Sequence, residues 1–150
     1  MVGRRLDGVT AMTQVLAGRP MAGGLPVPFA CEDDGGALDH SRVVKRRAIR
    51  CALSRVCGIC GDPLTRPVTF IGAEEEHDLG LYVFPPTHLS CAEEALALFV
   101  PIGGRHLGQS EPPLTWVLQT TGGFDLVRPS RRGGIVQFRP NSVIDTRRID

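Results

Sequence analysis

The sequence contains few aromatic residues, which make up 5% of its 150 residues and include one Trp and one Tyr. So few large side chains favour a core that is held by an additional staple. Neither sign of charge is in excess, because 17 basic residues stand against 16 acidic ones. The overall charge therefore argues neither for nor against a nucleic-acid partner. No apolar run approaches the roughly 18 residues of a membrane span, so no membrane partner is predicted.

The N-terminal stretch is interpreted as a poor export signal, and the cysteines are not spaced like a secreted disulfide framework. Twin arginines near the N-terminus are followed by Asp7, and the apolar stretch after them is interrupted by Thr and Gln. The five cysteines are odd in number, and their spacing is unlike that of a disulfide framework. We therefore predict a cytoplasmic protein, because clustered cysteines in that reducing compartment more often bind metal.

Glycine and proline are abundant, with 18 and 12 residues respectively, and they divide the chain into short elements. Residues 1–37 are predicted to form a flexible start and an extended N-terminal arm that lies on the domain. Residues 38–150 are predicted to form one α+β domain. The first predicted element is a basic helix over 41–55, and strands over 68–72 and 81–84 then form a hairpin around the polar turn AEEEHDLG. A second helix, with Thr87 as N-cap, stops at Pro101. An antiparallel β meander follows over 114–149.

Two pairs of candidate metal ligands flank the predicted hairpin. The stretch VCGICGDPL places Cys57 and Cys60 in a tight knuckle, and His88 and Cys91 lie three residues apart at the start of the second helix. Structural zinc is usually bound by four nitrogen or sulfur ligands that come as two close pairs from distant segments. We therefore predict that these four residues bind structural Zn(II) in a treble-clef unit over 57–99, packed against the small antiparallel sheet.

A redox role for the Cys-x-x-Cys pair is the first alternative. A thioredoxin-type pair begins a helix, whereas Gly61-Asp62-Pro63 follows the pair here and opposes a helix. Catalytic zinc is less favoured, because four protein ligands leave no position open for water. A His-metal nuclease on this frame needs a His at the end of the first hairpin strand, which here ends FIG. No catalytic residue is therefore predicted.

The order of these motifs resembles a family of small uncharacterised proteins from actinobacteria and their phages. The resemblance covers about residues 24–150 and rests on GLPVPF, the basic helix, RVCGICGDPL, FIG, PPTHLSCAEEAL and a Trp- and Arg-bearing β tail. It implies zinc binding by the same four residues, and it implies no activity. This chain departs from the family pattern at LFVPI, where members often have Cys-Pro, and at its acidic hairpin turn, which usually holds Cys and Asn-Arg.

The helix before the knuckle carries six basic residues and no acid, namely Arg42, Lys45, Arg46, Arg47, Arg50 and Arg55. One interpretation is a solvated face, or a face that pairs with the acidic 74–78 turn. The other is a phosphate-binding ridge that binds nucleic acid weakly and without sequence preference, aided by the tail residues Arg131, Arg132, Arg147 and Arg148. The predicted function is thus a non-enzymatic, zinc-stabilised interaction module. A protein-binding adaptor without nucleic-acid affinity, and a hydrolase or nuclease with an unrecognised site, are the alternatives.

The remaining cysteines and histidines are not assigned to the metal site. Cys51 falls on the apolar face of the basic helix and is predicted to pack, with a substitute ligand role left open, and Cys31 lies in the arm. His77 is predicted to be solvated in the acidic turn, while His40 and His106 are lone loop histidines with no identifiable partner. The stretch GGRHLGQ lacks the Lys-Ser pair of a phosphate loop, so no nucleotide cofactor is predicted.

Overall fold

The computed structural model describes residues 16, 18–33 and 39–150, and the first part of the predicted arm, residues 1–15, lies outside them. The fold is α+β, as predicted. The helices are α1 (Lys45–Ser54), α2 (Glu74–Leu79) and α3 (Leu89–Ile102). The strands are β1 (Met21–Ala22), β2 (Leu25–Pro26), β3 (Val68–Ala73), β4 (Trp116–Val127) and β5 (Gln137–Ile149). No helix within the described residues is long and apolar enough to cross a membrane.

The main sheet is antiparallel with the strand order β3-β4-β5. The predicted meander of short strands over 114–149 is wrong in one respect, because β4 and β5 are long strands that form a single hairpin. Gly122 and Gly123 do not end β4. A Cβ at Gly123 would lie 2.7 Å from the Asn141 side chain, so this glycine lets β5 approach closely.

The predicted hairpin between residues 68–72 and 81–84 is also wrong. All six residues of β3 are buried, and β3 pairs along its length with β4. In the 81–87 segment, Tyr82 makes a single bridge to Phe138 on β5, and Thr87 makes one to Thr69 on β3. Pro85 and Pro86 have no backbone N–H, so this segment could not continue a ladder beside β3. The segment instead touches both outer edges of the sheet.

The acidic stretch predicted as a polar turn forms the short helix α2. Three glutamates in its first turn interact favourably with the helix dipole, and Gly80, with φ of 69°, ends the helix. Glu76 has a further role, since its carboxylate accepts hydrogen bonds from three donors. The Ala73 and Val83 amides donate at 2.9 Å each, and the Gln109 side chain donates at 2.7 Å. This carboxylate therefore links β3, the 81–87 segment and the loop after α3 that contains Gln109.

We expect Glu76→Ala to lower the free energy of unfolding by about 2–4 kcal/mol, because three donors lose a charged acceptor. Urea denaturation of the purified protein would measure the change. The matched control is Glu75→Ala, which removes an exposed carboxylate from the same helix. That variant should stay within about 0.5 kcal/mol of the wild type. If both variants lost the same free energy of unfolding, Glu76 would stabilise the fold only through its interaction with the dipole of α2.

The two longer helices differ slightly from their predicted bounds. Helix α1 begins at Lys45 rather than near residue 41, because the Val44 amide donates to the Ala30 carbonyl at 2.8 Å in an extended conformation. Helix α3 continues through Pro101 to Ile102, and His88 rather than Thr87 occupies its N-cap position. The Thr87 hydroxyl donates instead to the Thr69 carbonyl at 2.9 Å, which anchors the start of α3 to β3.

The buried side chains form two apolar clusters. The first surrounds α3 and the knuckle and includes Ile59, Phe99 and Leu118. The second is aromatic and lies against α1, with Phe70 and Phe138 among its members. Residues 27–31 are buried against the knuckle, since the Phe29 and Ala30 amides donate to the Ile59 and Gly58 carbonyls at 2.9 Å.

Candidate metal centre

The structure brings the four predicted ligands together at one point. The Sγ atoms of Cys57, Cys60 and Cys91 and a ring nitrogen of His88 all lie within 4.8 Å of one another. Cys57 and Cys91 are buried, whereas Cys60 and His88 are half-buried. No disulfide joins any of the five cysteines. The cluster is thus partly exposed and is built from three sulfurs and one nitrogen.

The spacing of these donor atoms fits a tetrahedral ion. A sulfur at about 2.3 Å and a nitrogen at about 2.0–2.1 Å from a tetrahedral zinc lie about 3.6 Å apart. The Nδ1 atom of His88 lies 3.5 Å from Cys60 Sγ and 3.6 Å from Cys91 Sγ. The donor set is also one that zinc prefers, so these residues could hold a metal ion. Sequence reasoning found all four from their spacing.

The His88 ring is oriented by its second nitrogen. Nε2 lies 2.9 Å from the Pro63 carbonyl oxygen, which can only accept a hydrogen bond. Nε2 therefore carries the proton, and the lone pair of Nδ1 points at the sulfurs. Metal-ligating histidines are usually fixed in this way by a partner on the other nitrogen. Pro63 belongs to the turn after the knuckle, so the GDPL stretch completes the environment of the distant histidine.

The knuckle is shaped by backbone amides and by two glycines. Amides of Ile59 and His88 donate to Cys57 Sγ at 3.3 and 3.4 Å, and these bonds stabilise a thiolate. Gly61 has φ of 81°, and a Cβ there would lie 2.7 Å from the Phe29 ring. A Cβ at Gly58 would lie 2.9 Å from the Phe84 ring. The tight turn that presents the two sulfurs therefore requires glycine at both positions.

Hydrogen bonding among the three cysteines gives the Cys57 and Cys91 thiols different pKa values. Burial opposes ionisation of Cys57, but hydrogen bonds from Cys60, Cys91 and nearby amides outweigh it and lower the pKa of the Cys57 thiol. Hydrogen bonds to Cys57 and Cys60, together with burial, raise the pKa of the Cys91 thiol. One thiolate thus forms readily and disfavours the next, as expected for groups that share protons. A divalent cation bound here would stabilise all three thiolates together.

A carboxylate beside the cluster was missed by sequence reasoning. Glu94 lies one turn after Cys91 on α3, and its Oε2 atom is buried with no hydrogen-bond partner in the described part of the chain. Burial, and to a lesser extent the nearby Cys60, raise the pKa of this carboxyl. Its position three residues after a predicted ligand on the same helix was the available signal.

The remaining cysteines lie outside the cluster. Cys51 and Cys31 are both buried, and burial raises the pKa of the Cys51 thiol to about 12. The packing role predicted for Cys51 is consistent with its complete burial on α1. The Cys31 thiol donates to the His40 carbonyl at 3.5 Å.

The loop histidines have partners that the sequence did not reveal. The His106 ring stacks on Phe99 with centroids 4.4 Å apart, and the His40 ring lies 5.9 Å from that of His106. Nε2 of His106 donates to the Gly103 carbonyl at 2.7 Å, and Nε2 of His40 lies 3.1 Å from the Leu25 carbonyl. These histidines fix the 103–107 turn to α3 and to the β1–β2 hairpin. His77 is half-buried on α2 and contacts Gln119.

The six basic residues of the predicted ridge have divided roles. Arg47 forms an ion pair with Glu32 at 2.9 Å. The guanidinium groups of Arg47 and Arg50 lie over the Phe29 ring, and that of Arg55 lies over the Phe124 ring. Glu74 of the acidic turn has a different partner. Glu74 instead binds Arg148 of β5, and this ion pair lowers the pKa of Glu74. Arg147 pairs with Glu93, so the two tail arginines make their ion pairs elsewhere. The exposed members of the helical set are Arg42, Lys45, Arg46, Arg50 and Arg55.

Comparison with known proteins does not assign the chain to a family. No protein-family model matches it, and no curated protein or solved structure matches it. The resemblance to actinobacterial and phage proteins therefore stays a prediction, and the functional argument rests on the site itself.

Proposed function

We propose that the chain is a non-enzymatic interaction module whose fold is stabilised by structural Zn(II) at Cys57, Cys60, His88 and Cys91. The observation that carries this proposal is the closed donor set, in which four side-chain atoms lie within 4.8 Å of one another. Four protein ligands satisfy tetrahedral zinc and leave no position for a reacting water. Three thiolates would also outweigh the charge of the ion, which weakens it as a Lewis acid.

The arrangement supports a treble-clef-like unit in which the segment between the two ligand pairs differs from the usual hairpin. Its ligands come from a knuckle and from the first turn of a helix, as in that fold. Between them lies β3 with the Thr69–Thr87 bridge, in place of the hairpin that the sequence predicted. The Gly58 amide also donates to the Pro86 carbonyl at 2.9 Å, which joins the knuckle to the start of α3. The metal would therefore link two segments that the backbone already holds adjacent.

The proposed partner is nucleic acid, bound through the exposed basic residues of α1. No acidic residue lies in the first turn of this helix, so its positive end is not neutralised locally. Phosphate contacts of this kind are sequence-tolerant and weaken with salt, by roughly 0.9 in the log–log slope for each phosphate neutralised on duplex DNA. The alternative is that the chain is an adaptor that binds protein. A nucleic-acid titration separates the two proposals.

We expect the double variant Arg46→Glu, Arg50→Glu to abolish nucleic-acid binding without unfolding the domain. Both side chains are exposed on α1, so their reversal replaces attraction of phosphate with repulsion. Binding would be measured by titrating labelled DNA and RNA at about 50 mM salt, where phosphate contacts are strong.

The matched control reverses two exposed arginines away from α1, Arg128→Glu and Arg139→Glu, with the same change in net charge. This control should retain most of the affinity if the contact is local to the helix. Absence of binding by the wild-type protein at this salt would overturn the nucleic-acid proposal and favour the adaptor.

A further inference from the structure

A cleft of about 630 Å³ lies between the start of α1 and the 103–110 loop. Two of its charged lining residues, Arg42 and Lys45, come from the segment that leads into α1 and from its first residue, and a third, Arg105, comes from the loop. Ser41 and Ser110 add hydroxyl groups to the lining. The volume is within the range of small-ligand pockets. Three cations from two segments distant in sequence therefore meet around one concave surface.

The described part of the protein offsets these three charges only in part. The cleft lining contains no carboxylate, and none of Arg42, Lys45 and Arg105 forms an ion pair with a residue that the structure describes. Hydrogen bonds from Ser41 and, to a lesser extent, the nearby charge of Arg105 lower the pKa of Asp39, so this carboxylate offsets part of the charge of Arg105. Asp39 accepts hydrogen bonds from the Ser41 amide and hydroxyl at 2.9 and 2.7 Å, and Glu76 is held by its three donors. The cleft therefore has a net positive potential that an anion would relieve.

Arg105 is presented by an anchored turn. The next residue, His106, is buried and stacks on Phe99, and the Leu107 amide donates to the His40 carbonyl at 2.8 Å. Leu107 is itself fully buried. A charged side chain on a fixed backbone loses less conformational freedom on binding than one on a mobile loop. The backbone that carries the third cation is therefore fixed by its neighbours in sequence.

We infer that this cleft binds a phosphate group. Arginine forks and a lysine ammonium are the groups that proteins use to bind phosphate oxygens, and the Ser110 hydroxyl supplies a further donor. The lining also includes the apolar residues Val83 and Val136, which suits a phosphate ester with an apolar portion. The inference rests on the proposed function, because the phosphates of a nucleic acid are one source of this chemistry. Free phosphate esters are the other source.

Arg105 is the diagnostic residue, because it lines the cleft but is not part of the basic helix. Two probes would be titrated at about 50 mM salt by calorimetry: pyrophosphate, and a 5′-phosphorylated single-stranded oligonucleotide. We expect Arg105→Gln to weaken pyrophosphate binding by about tenfold or more, since a charge-assisted hydrogen bond is lost. Arg139→Gln, which removes an exposed arginine outside the cleft, should leave it unchanged. Equal melting temperatures would show that both variants are folded.

The outcomes separate this inference from the proposed function. Pyrophosphate binding that depends on Arg105, without oligonucleotide binding, supports the cleft as a site for free phosphate esters and overturns the nucleic-acid proposal. Dependence of both probes on Arg105 supports the cleft as a contact for a nucleic-acid phosphate. Oligonucleotide binding that ignores Arg105 but is lost in the Arg46→Glu, Arg50→Glu variant supports the helix as the nucleic-acid contact, and it overturns the cleft if pyrophosphate binding ignores Arg105 as well. Lack of pyrophosphate binding by the wild type, or equal weakening by Arg139→Gln, also overturns the cleft.

Discussion

Cys60→Ser and Cys91→Ser are each expected to abolish metal binding and to melt the 57–99 unit. Each removes a sulfur that lies within 3.6 Å of His88 Nδ1, one from the knuckle and one from α3. Structural zinc contributes on the order of 10 kcal/mol or more to folding in small zinc domains, which exceeds the stability of many whole domains. The zinc-to-protein ratio and the melting temperature of each variant would measure the effect.

Cys51→Ala is the matched control, because it removes a buried cysteine from the adjacent helix and not from the cluster. Cys51 does not belong to the group of four side chains whose donor atoms lie within 4.8 Å of one another, so its removal takes no proposed ligand away. Its variant should keep the wild-type zinc ratio. A wild-type protein that melts at the same temperature after chelation would contradict the structural role. A Cys57–Cys60 disulfide in freshly reduced protein would instead favour redox chemistry.

Phe70→Ala is expected to lower the free energy of unfolding by about 3–5 kcal/mol. Phe70 is fully buried at the centre of the aromatic cluster. Its ring centroid lies 5.6 Å from those of Tyr82 and Phe124 and 6.0 Å from that of Phe138. The substitution would leave a cavity and remove several ring contacts at once. Chemical denaturation monitored by circular dichroism would report the loss.

The zinc ratio distinguishes this effect from that of the ligand variants. The aromatic cluster contains none of the four proposed ligands, so a folded Phe70 variant should keep its metal. Phe70→Leu, which leaves a smaller cavity, tests this point if the alanine variant does not fold. A Phe70→Leu protein that is folded but metal-free would show that the two clusters are not separate.

The candidate site could be predicted from sequence better than the sheet could. Metal ligands follow local rules of spacing, and the Cys-x-x-Cys and His-x-x-Cys pairs each lie within one short element. Strand pairing depends on residues far apart in sequence, so nothing near β3 indicated that its partner begins at Trp116. The two prolines after residues 81–84 were the missed signal against the hairpin.

Charge patterns gave the least reliable predictions. The polar composition of the acidic stretch at 74–78 predicts a turn, whereas its three glutamates begin a short helix and interact favourably with its dipole. One of those glutamates pairs with Arg148, which lies 74 positions further along the chain. The packing of Arg47 over Phe29 likewise depends on where residues 27–31 fold. Ion pairs between distant segments leave no periodic pattern in the sequence. The apolar face of α1 does leave such a pattern, because its residues recur at helical spacing.

The Thr69–Thr87 bridge has a consequence for the order in which the chain is made. Every proposed zinc ligand precedes residue 92, whereas the strand that pairs with β3 begins at Trp116. On a ribosome, the knuckle and the start of α3 therefore emerge while β3 still lacks its neighbour. Domains fold from the N-terminus as synthesis proceeds, at roughly 5–20 residues per second. We expect metal capture to come first and to protect the apolar face of β3 until the β4–β5 hairpin arrives.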